Sequence, residues 1–125
     1  MMSIERTVSV LIAAIAMSLS ALTVAFAHAH LVRAIPSAGG TLREAPTEVV
    51  LRFNEKLESA FSSVVVRDSA GKQVDKADAQ VDKTNRLQMR VSLPPLMPGT
   101  YTVEWRVMSA DTHKINGNFT FVVGE

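Results

Sequence analysis

Apolar and polar residues alternate along most of the chain after its first quarter. Tyr101, Val103, Trp105 and Val107 interleave with Thr102, Glu104 and Arg106, the period of two expected of a strand with one buried and one wet face. Leu87, Met89, Val91 and Leu93 repeat the pattern, as do Val49, Leu51 and Phe53, then Val64 and Val66, then Phe119, Phe121 and Val123. Turn-forming runs separate these segments: Pro36-Ser37-Ala38-Gly39-Gly40, Asp68-Ser69-Ala70-Gly71, Pro94-Pro95 with Pro98-Gly99, and Asn116-Gly117. Gly and Asn tolerate positive φ there, while Pro presets φ and removes a donor. The reading is seven strands, near residues 29–35, 47–53, 62–68, 72–75, 86–92, 100–108 and 117–123, with no helix of useful length. Short strands at this spacing predict an all-β fold, an antiparallel Greek-key sandwich of immunoglobulin-like type. The polar run Lys72 to Arg86, with Val74 and Val81 its large apolar residues, is expected to be an exposed connection.

The first 27 residues break this pattern. Met1 to Thr7 is short and polar with one Arg, Val8 to Ala27 carries no charge, and the stretch closes on Ala25-Phe26-Ala27. A charged start, an apolar middle and small residues at the cleavage positions mark a secretory signal peptide. An uncleaved membrane anchor competes, since about 20 apolar residues can span a bilayer. Residues 1–27 are therefore read as the leader and 28–125 as one domain, with a mature form that does not span the membrane. Cleavage after Ala27 exposes His28, and cleavage after Ala29 exposes His30; the first frame is favoured by the chemistry below.

Composition narrows the function. The chain has no cysteine, which excludes disulfides, zinc fingers, iron–sulfur clusters, blue-copper sites and cysteine nucleophiles. The formal net charge is +1, and the leader removes one Arg and one Glu, so the mature domain is equally balanced. Basic residues are scattered among acids, which argues against a nucleic-acid partner.

The three histidines are His28, His30 and His113. The third lies in Ser109-Ala110-Asp111-Thr112-His113, and if that stretch is extended, Asp111 and His113 project to the same side. An N-terminal His grips a metal with its ring and with its α-amine, whose ordinary pKa of about 7.7–8.0 makes its proton easy to displace. With His113 and Asp111 the set becomes three nitrogens and one oxygen, which suits the tetragonal preference of Cu(II); Zn(II) would take the same donors in a tetrahedron. Each residue also has an ordinary reading: His30 as a solvated terminal residue, Asp111 as a turn former and His113 as a loop residue.

At these residues the chain resembles the CopC family of periplasmic copper-resistance and copper-carrier proteins. The resemblance begins at His28 with Leu31-Val32 and Ile35-Pro36-Ser37, and continues through Leu51-Arg52-Phe53-Asn54-Glu55-Lys56-Leu57. It is densest in Pro98-Gly99-Thr100-Tyr101-Thr102-Val103-Glu104-Trp105-Arg106-Val107 and from Ser109-Ala110-Asp111-Thr112-His113 to Gly117-Asn118-Phe119-Thr120-Phe121. It implies a periplasmic β-sandwich that holds one Cu(II) through His28, Asp111 and His113, with Glu55 as a weak or second-shell ligand. Some members hold Cu(I) on a methionine-rich loop; here Arg67-Asp68-Ser69-Ala70-Gly71-Lys72-Gln73-Val74 stands in its place. Met89, Met97 and Met108 lack that clustering, so the expectation is a Cu(II)-only member.

The function expected on these grounds is non-enzymatic: a monomeric protein that sequesters Cu(II) or hands it to an inner-membrane copper-uptake protein of the CopD type. Two rivals remain at this point. A copper enzyme would use the open positions of the N-terminal chelate, though no further catalytic constellation accompanies it. A metal-free interaction module would account for the sandwich and leave the histidines to chance.

Overall fold

A computed structural model describes residues 29–125, so the expected leader, its cleavage site and His28 lie outside the described residues. Eight strands follow in order: β1 Leu31–Ile35, β2 Thr41–Leu42, β3 Glu48–Phe53, β4 Ser63–Arg67, β5 Gln80–Val81, β6 Gln88–Ser92, β7 Gly99–Met108 and β8 Lys114–Val123. A single 3-10 turn, Ser59–Phe61, precedes β4. The strands form two four-stranded sheets, ordered β1-β3-β6-β5 and β2-β8-β7-β4. All pairings are antiparallel except that of β2 with β8. The predicted all-β sandwich is thus the observed fold.

The alternation read from the sequence is the burial pattern. Val49, Leu51, Phe53, Val64, Val66, Met89, Val91, Val103, Val107 and Phe121 are essentially inaccessible, and their neighbours on the same strands face water. The core is a row of rings and β-branched side chains. Phe53 meets Trp105 edge-on at 6.3 Å, Trp105 tilts against Phe119 at 5.9 Å, and Tyr101 stacks on Phe121 at 5.5 Å. Burying these large apolar surfaces is the main term favouring the fold. The Tyr101 hydroxyl keeps a partner by donating to the Met97 carbonyl at 2.6 Å.

Three expectations are corrected. Residues 72–75 make no strand; they touch β4 through one bridge between Arg67 and Gln73, and the Asp75 carboxylate accepts the Val66 N–H at 2.8 Å where a neighbouring strand's carbonyl would stand. The connection onward to Arg86 is not wholly exposed, since it contributes β5 and buries Val81. Its aspartates again replace strand partners, Asp78 accepting the Ser92 N–H at 2.8 Å.

Asn116-Gly117 is no turn either. It lies inside β8, with Gly117 opposite Trp105, and a Cβ on Gly117 would stand 2.4 Å from the indole. The glycine is there to make room for a ring, a use that short sequence patterns do not distinguish from a bend. Strand β2, in the Gly39-Gly40 region, was not anticipated; its pairing with β8 is supported by Gly39 N–H to Thr120 carbonyl (2.7 Å) and Val122 N–H to Gly40 carbonyl (2.9 Å).

Candidate metal centre

Strands β7 and β8 pair over their full lengths, from Gly99 with Val123 to Met108 with Lys114, so residues 109–113 must reverse the chain at one end of the sandwich. They do so as a tight turn rather than the extended segment expected. Ser109 N–H donates to the His113 carbonyl at 3.0 Å, Thr112 N–H donates to the Ser109 carbonyl at 2.9 Å, and Thr112 takes φ +72°. A β-branched residue in the left-handed region is rare and carries strain of order 1–3 kcal/mol. The two side chains predicted to converge do converge, though by this turn and not by strand alternation. His113 Nδ1 lies 3.0 Å from Asp111 Oδ2.

Ser109 organises the pair. Among the described residues it is the buried polar one, fully enclosed, and its hydroxyl donates to Asp111 Oδ1. That hydrogen bond is the main reason the Asp111 carboxyl is held below its ordinary value of 3.8; desolvation opposes it, and His113 adds to the lowering. The carboxylate is therefore anionic and oriented before any cation arrives. A carboxylate set against one ring nitrogen is the usual way a histidine ligand is oriented.

Two further segments meet this turn. Ala110 N–H donates to the Lys56 carbonyl at 2.8 Å, Glu58 N–H to the Met108 carbonyl at 2.8 Å, and Leu57 bridges Ser109 with its side chain fully buried. The same 54–58 segment ties down the start of the described chain: Asn54 N–H donates to the His30 carbonyl at 3.1 Å, and His30 N–H donates to Asn54 Oδ1 at 2.5 Å. The N-terminal segment, the loop after β3 and the β7–β8 turn therefore share one end of the sandwich.

Of the residues singled out in the sequence, Asp111 and His113 stand together. Glu55 is half-buried within the adjoining loop and His30 is exposed; among the described residues no three His, Asp or Glu side chains gather closely enough to hold an ion. Ser109 and Asn54 were overlooked as positioning residues. For Ser109 a signal existed in its spacing, two residues before Asp111; for Asn54, whose partner is 24 residues away, none did.

The model of the CopC domain matches residues 31–124. The protein YobA of Escherichia coli K12 is 36% identical over 99 residues, covering 78% of this chain and 80% of its own. Copper resistance protein C of Pseudomonas syringae pv. tomato is 35% identical over 98% of this chain and 99% of its own. The copper transport protein CutJ of Bacillus subtilis is 36% identical over 80% of this chain, which corresponds to 19% of that longer protein. Among solved structures, CopC of Methylosinus trichosporium OB3b superposes with a TM-score of 0.70 at 35% identity, covering 78% of this chain and 94% of that one. PcoC, described as a methionine-rich copper resistance protein from Escherichia coli, gives 0.67 at 33% identity, covering 78% and 99%. A domain match from the first strand to the last, relatives above 30% identity across most of both chains and the shared sandwich together establish that this chain belongs to the CopC family.

Proposed function

We propose that this chain is an exported Cu(II) carrier, cleaved after Ala27 so that the α-amine and ring of His28 join Asp111 and His113 around a single ion. The observation that carries the reading is the pre-set Asp111–His113 pair at the end of the sandwich where the N-terminal segment is also pinned. His28 is two residues before His30, and two residues of chain reach at most about 7 Å. Three nitrogens and one carboxylate oxygen suit the tetragonal preference of Cu(II), whereas Zn(II) would take the same donors in a tetrahedron. Glu55 and His30 are the nearby candidates for a weaker fifth contact.

The methionines favour Cu(II) alone. Met89 is sealed in the core, Met97 is 78% exposed before β7, and Met108 ends β7. Ten residues of strand place Met97 and Met108 roughly 30 Å apart, so no two thioethers share a soft site. The relatives named for copper resistance and copper transport support a role in copper homeostasis in the periplasm. The carrier acts in this reading as a monomer that hands copper to an inner-membrane uptake protein of the CopD type, and the presence of a similar stretch within a longer copper transport protein is in keeping with a role in transfer. No chemical step is assigned; the ion is cargo.

The test is the electron paramagnetic resonance spectrum of the protein beginning at His28 with one equivalent of Cu(II), beside a version with one residue added in front. A tetragonal, nitrogen-rich signal that changes when the amine is displaced is expected. Identical spectra from both would remove His28 as the anchor and with it this ligand set.

A further inference from the structure

Next to the metal end, the outer face of the second sheet holds an open groove of about 780 Å³ between the 3-10 turn and the first residues of β8. The strand register aligns Ser63 with Arg106 and Arg106 with Asn116 across its floor, and Lys114 and Ile115 close the side nearest His113. Phe61 stands over it with 65% of its surface exposed. The ring sits on a fixed support, because Met108 N–H donates to Ser62 Oγ at 3.2 Å and Glu58 N–H to the Met108 carbonyl.

Charge is the second feature. Arg106 and Lys114, like several other surface cations of the described residues, are in no ion pair, and what sets their surroundings apart is that no carboxylate lines the groove. An exposed aromatic and an arginine are residue types enriched at binding surfaces, and here they share a groove that is positive because it lacks carboxylates. Two cations in a chain of net charge +1 are too few to hold a nucleic acid. A short acidic segment would neutralise both, and an apolar side chain within it would cover Phe61 and Ile115.

We infer that this groove is the docking surface for the protein that exchanges copper with this chain, and that it recognises an acidic segment carrying an apolar side chain. The identity of the occupant as a transfer partner rests on the carrier reading above; the acidic-apolar chemistry rests on the groove itself. Because Lys114 directly follows His113, a partner seated there has its own ligands next to the copper end. Oppositely charged surfaces raise the rate of encounter and fix its orientation.

The probe is a fluorescent peptide of Asp and Glu with one central Phe, titrated against the Cu(II)-loaded mature chain, with a Lys-for-acid peptide as control. Amide shifts of the copper-free chain map the contact. The acidic peptide should bind and move the signals of Phe61, Arg106 and Ile115, and the basic one should not bind. Binding should weaken roughly tenfold or more in the double variant R106E/K114E and several-fold in F61A, while Arg52→Glu, which changes charge on the other sheet, leaves it intact. Equal binding of both peptides, equal loss in Arg52→Glu, shifts elsewhere, or a groove filled by a second copy of the chain in sedimentation would each overturn the proposal. Copper spectra of the same variants separate the two readings. Peptide binding at the groove without a tetragonal copper signal would sink the carrier and leave the acidic docking site; an intact copper signal without peptide binding would do the reverse.

Discussion

The body and the tip of the β7–β8 hairpin are made by opposite rules. Along the body, ten residues pair with ten, every inward position from Tyr101 to Val107 is apolar and buried, and backbone partners are supplied by the ladder. At the tip, the turn's inward group is a serine hydroxyl, a threonine occupies a left-handed conformation and a carboxylate stands against an imidazole. The body lowers the free energy of the fold; the tip holds local strain and charge that the body's pairing keeps in place. Chemistry is placed where the scaffold is rigid but its own burial is low.

That contrast can be broken most strongly from the body. Phe121→Ala removes a fully buried ring stacked on Tyr101 and should cost about 3–5 kcal/mol in a urea unfolding curve. From the tip, His113→Ala should leave that curve within about 0.5 kcal/mol while Cu(II) affinity, measured by competition with a chelator, falls by more than about a hundredfold. A large loss of stability with little loss of copper would reverse the roles assigned to the two regions. Gly117→Ala tests the body at its tightest point, where the new methyl meets Trp105; overpacking of about 1–3 kcal/mol is expected, with copper affinity unchanged.

Ser109→Ala sharpens the comparison, because it alters the tip's electrostatics while leaving both proposed ligands, Asp111 and His113, in place. The Asp111 carboxyl, lowered in the folded chain chiefly by Ser109, should move up toward its ordinary value. A group with a depressed folded pKa binds fewer protons folded than unfolded, so its stabilisation is present above 3.8 and is lost as pH falls through the folded value. In Ser109→Ala that stabilisation should be smaller and its loss complete at higher pH, and copper should be released at higher pH than from the unaltered protein, with roughly tenfold weaker binding near neutrality. A pH titration of copper occupancy checks this; superimposable profiles would mean that Ser109 serves packing alone.

The smallest effect belongs to the first sheet. Arg33 faces Arg52 across β1 and β3, and neither has an ion-pair partner among the described residues. Like charges directly opposite destabilise a sheet, so Arg52→Glu should add about 0.2–1 kcal/mol in the same urea assay and leave copper binding as it was.

The fold was legible wherever one face of a strand is buried, because burial writes a period of two. It was not legible at β2 and β5, two residues each, whose existence depends on a distant partner and not on their own pattern. The Asn116-Gly117 pair was misread because glycine beside a ring and glycine in a turn look alike in one dimension. At the site, Asp111 and His113 were visible as a motif, but their convergence was assigned to an extended chain, whereas hydrogen bonds within residues 109–113 produce it.

What the sequence determined by itself is the alternation of apolar positions that makes a sandwich, the absence of thiols and the identity of the candidate ligands. Only the tertiary structure decided that residues 30, 54–58 and 109–113 share one end, that Ser109 orients Asp111, and that Arg106, Lys114 and Phe61 line one groove. The physical reason is that side-chain type and local periodicity are properties of neighbours in the chain, while Asn54 with His30 and Lys56 with Ala110 meet through only two hydrogen bonds and one, respectively, between distant segments. Such bonds are set by how the two sheets pack and leave no period in the sequence.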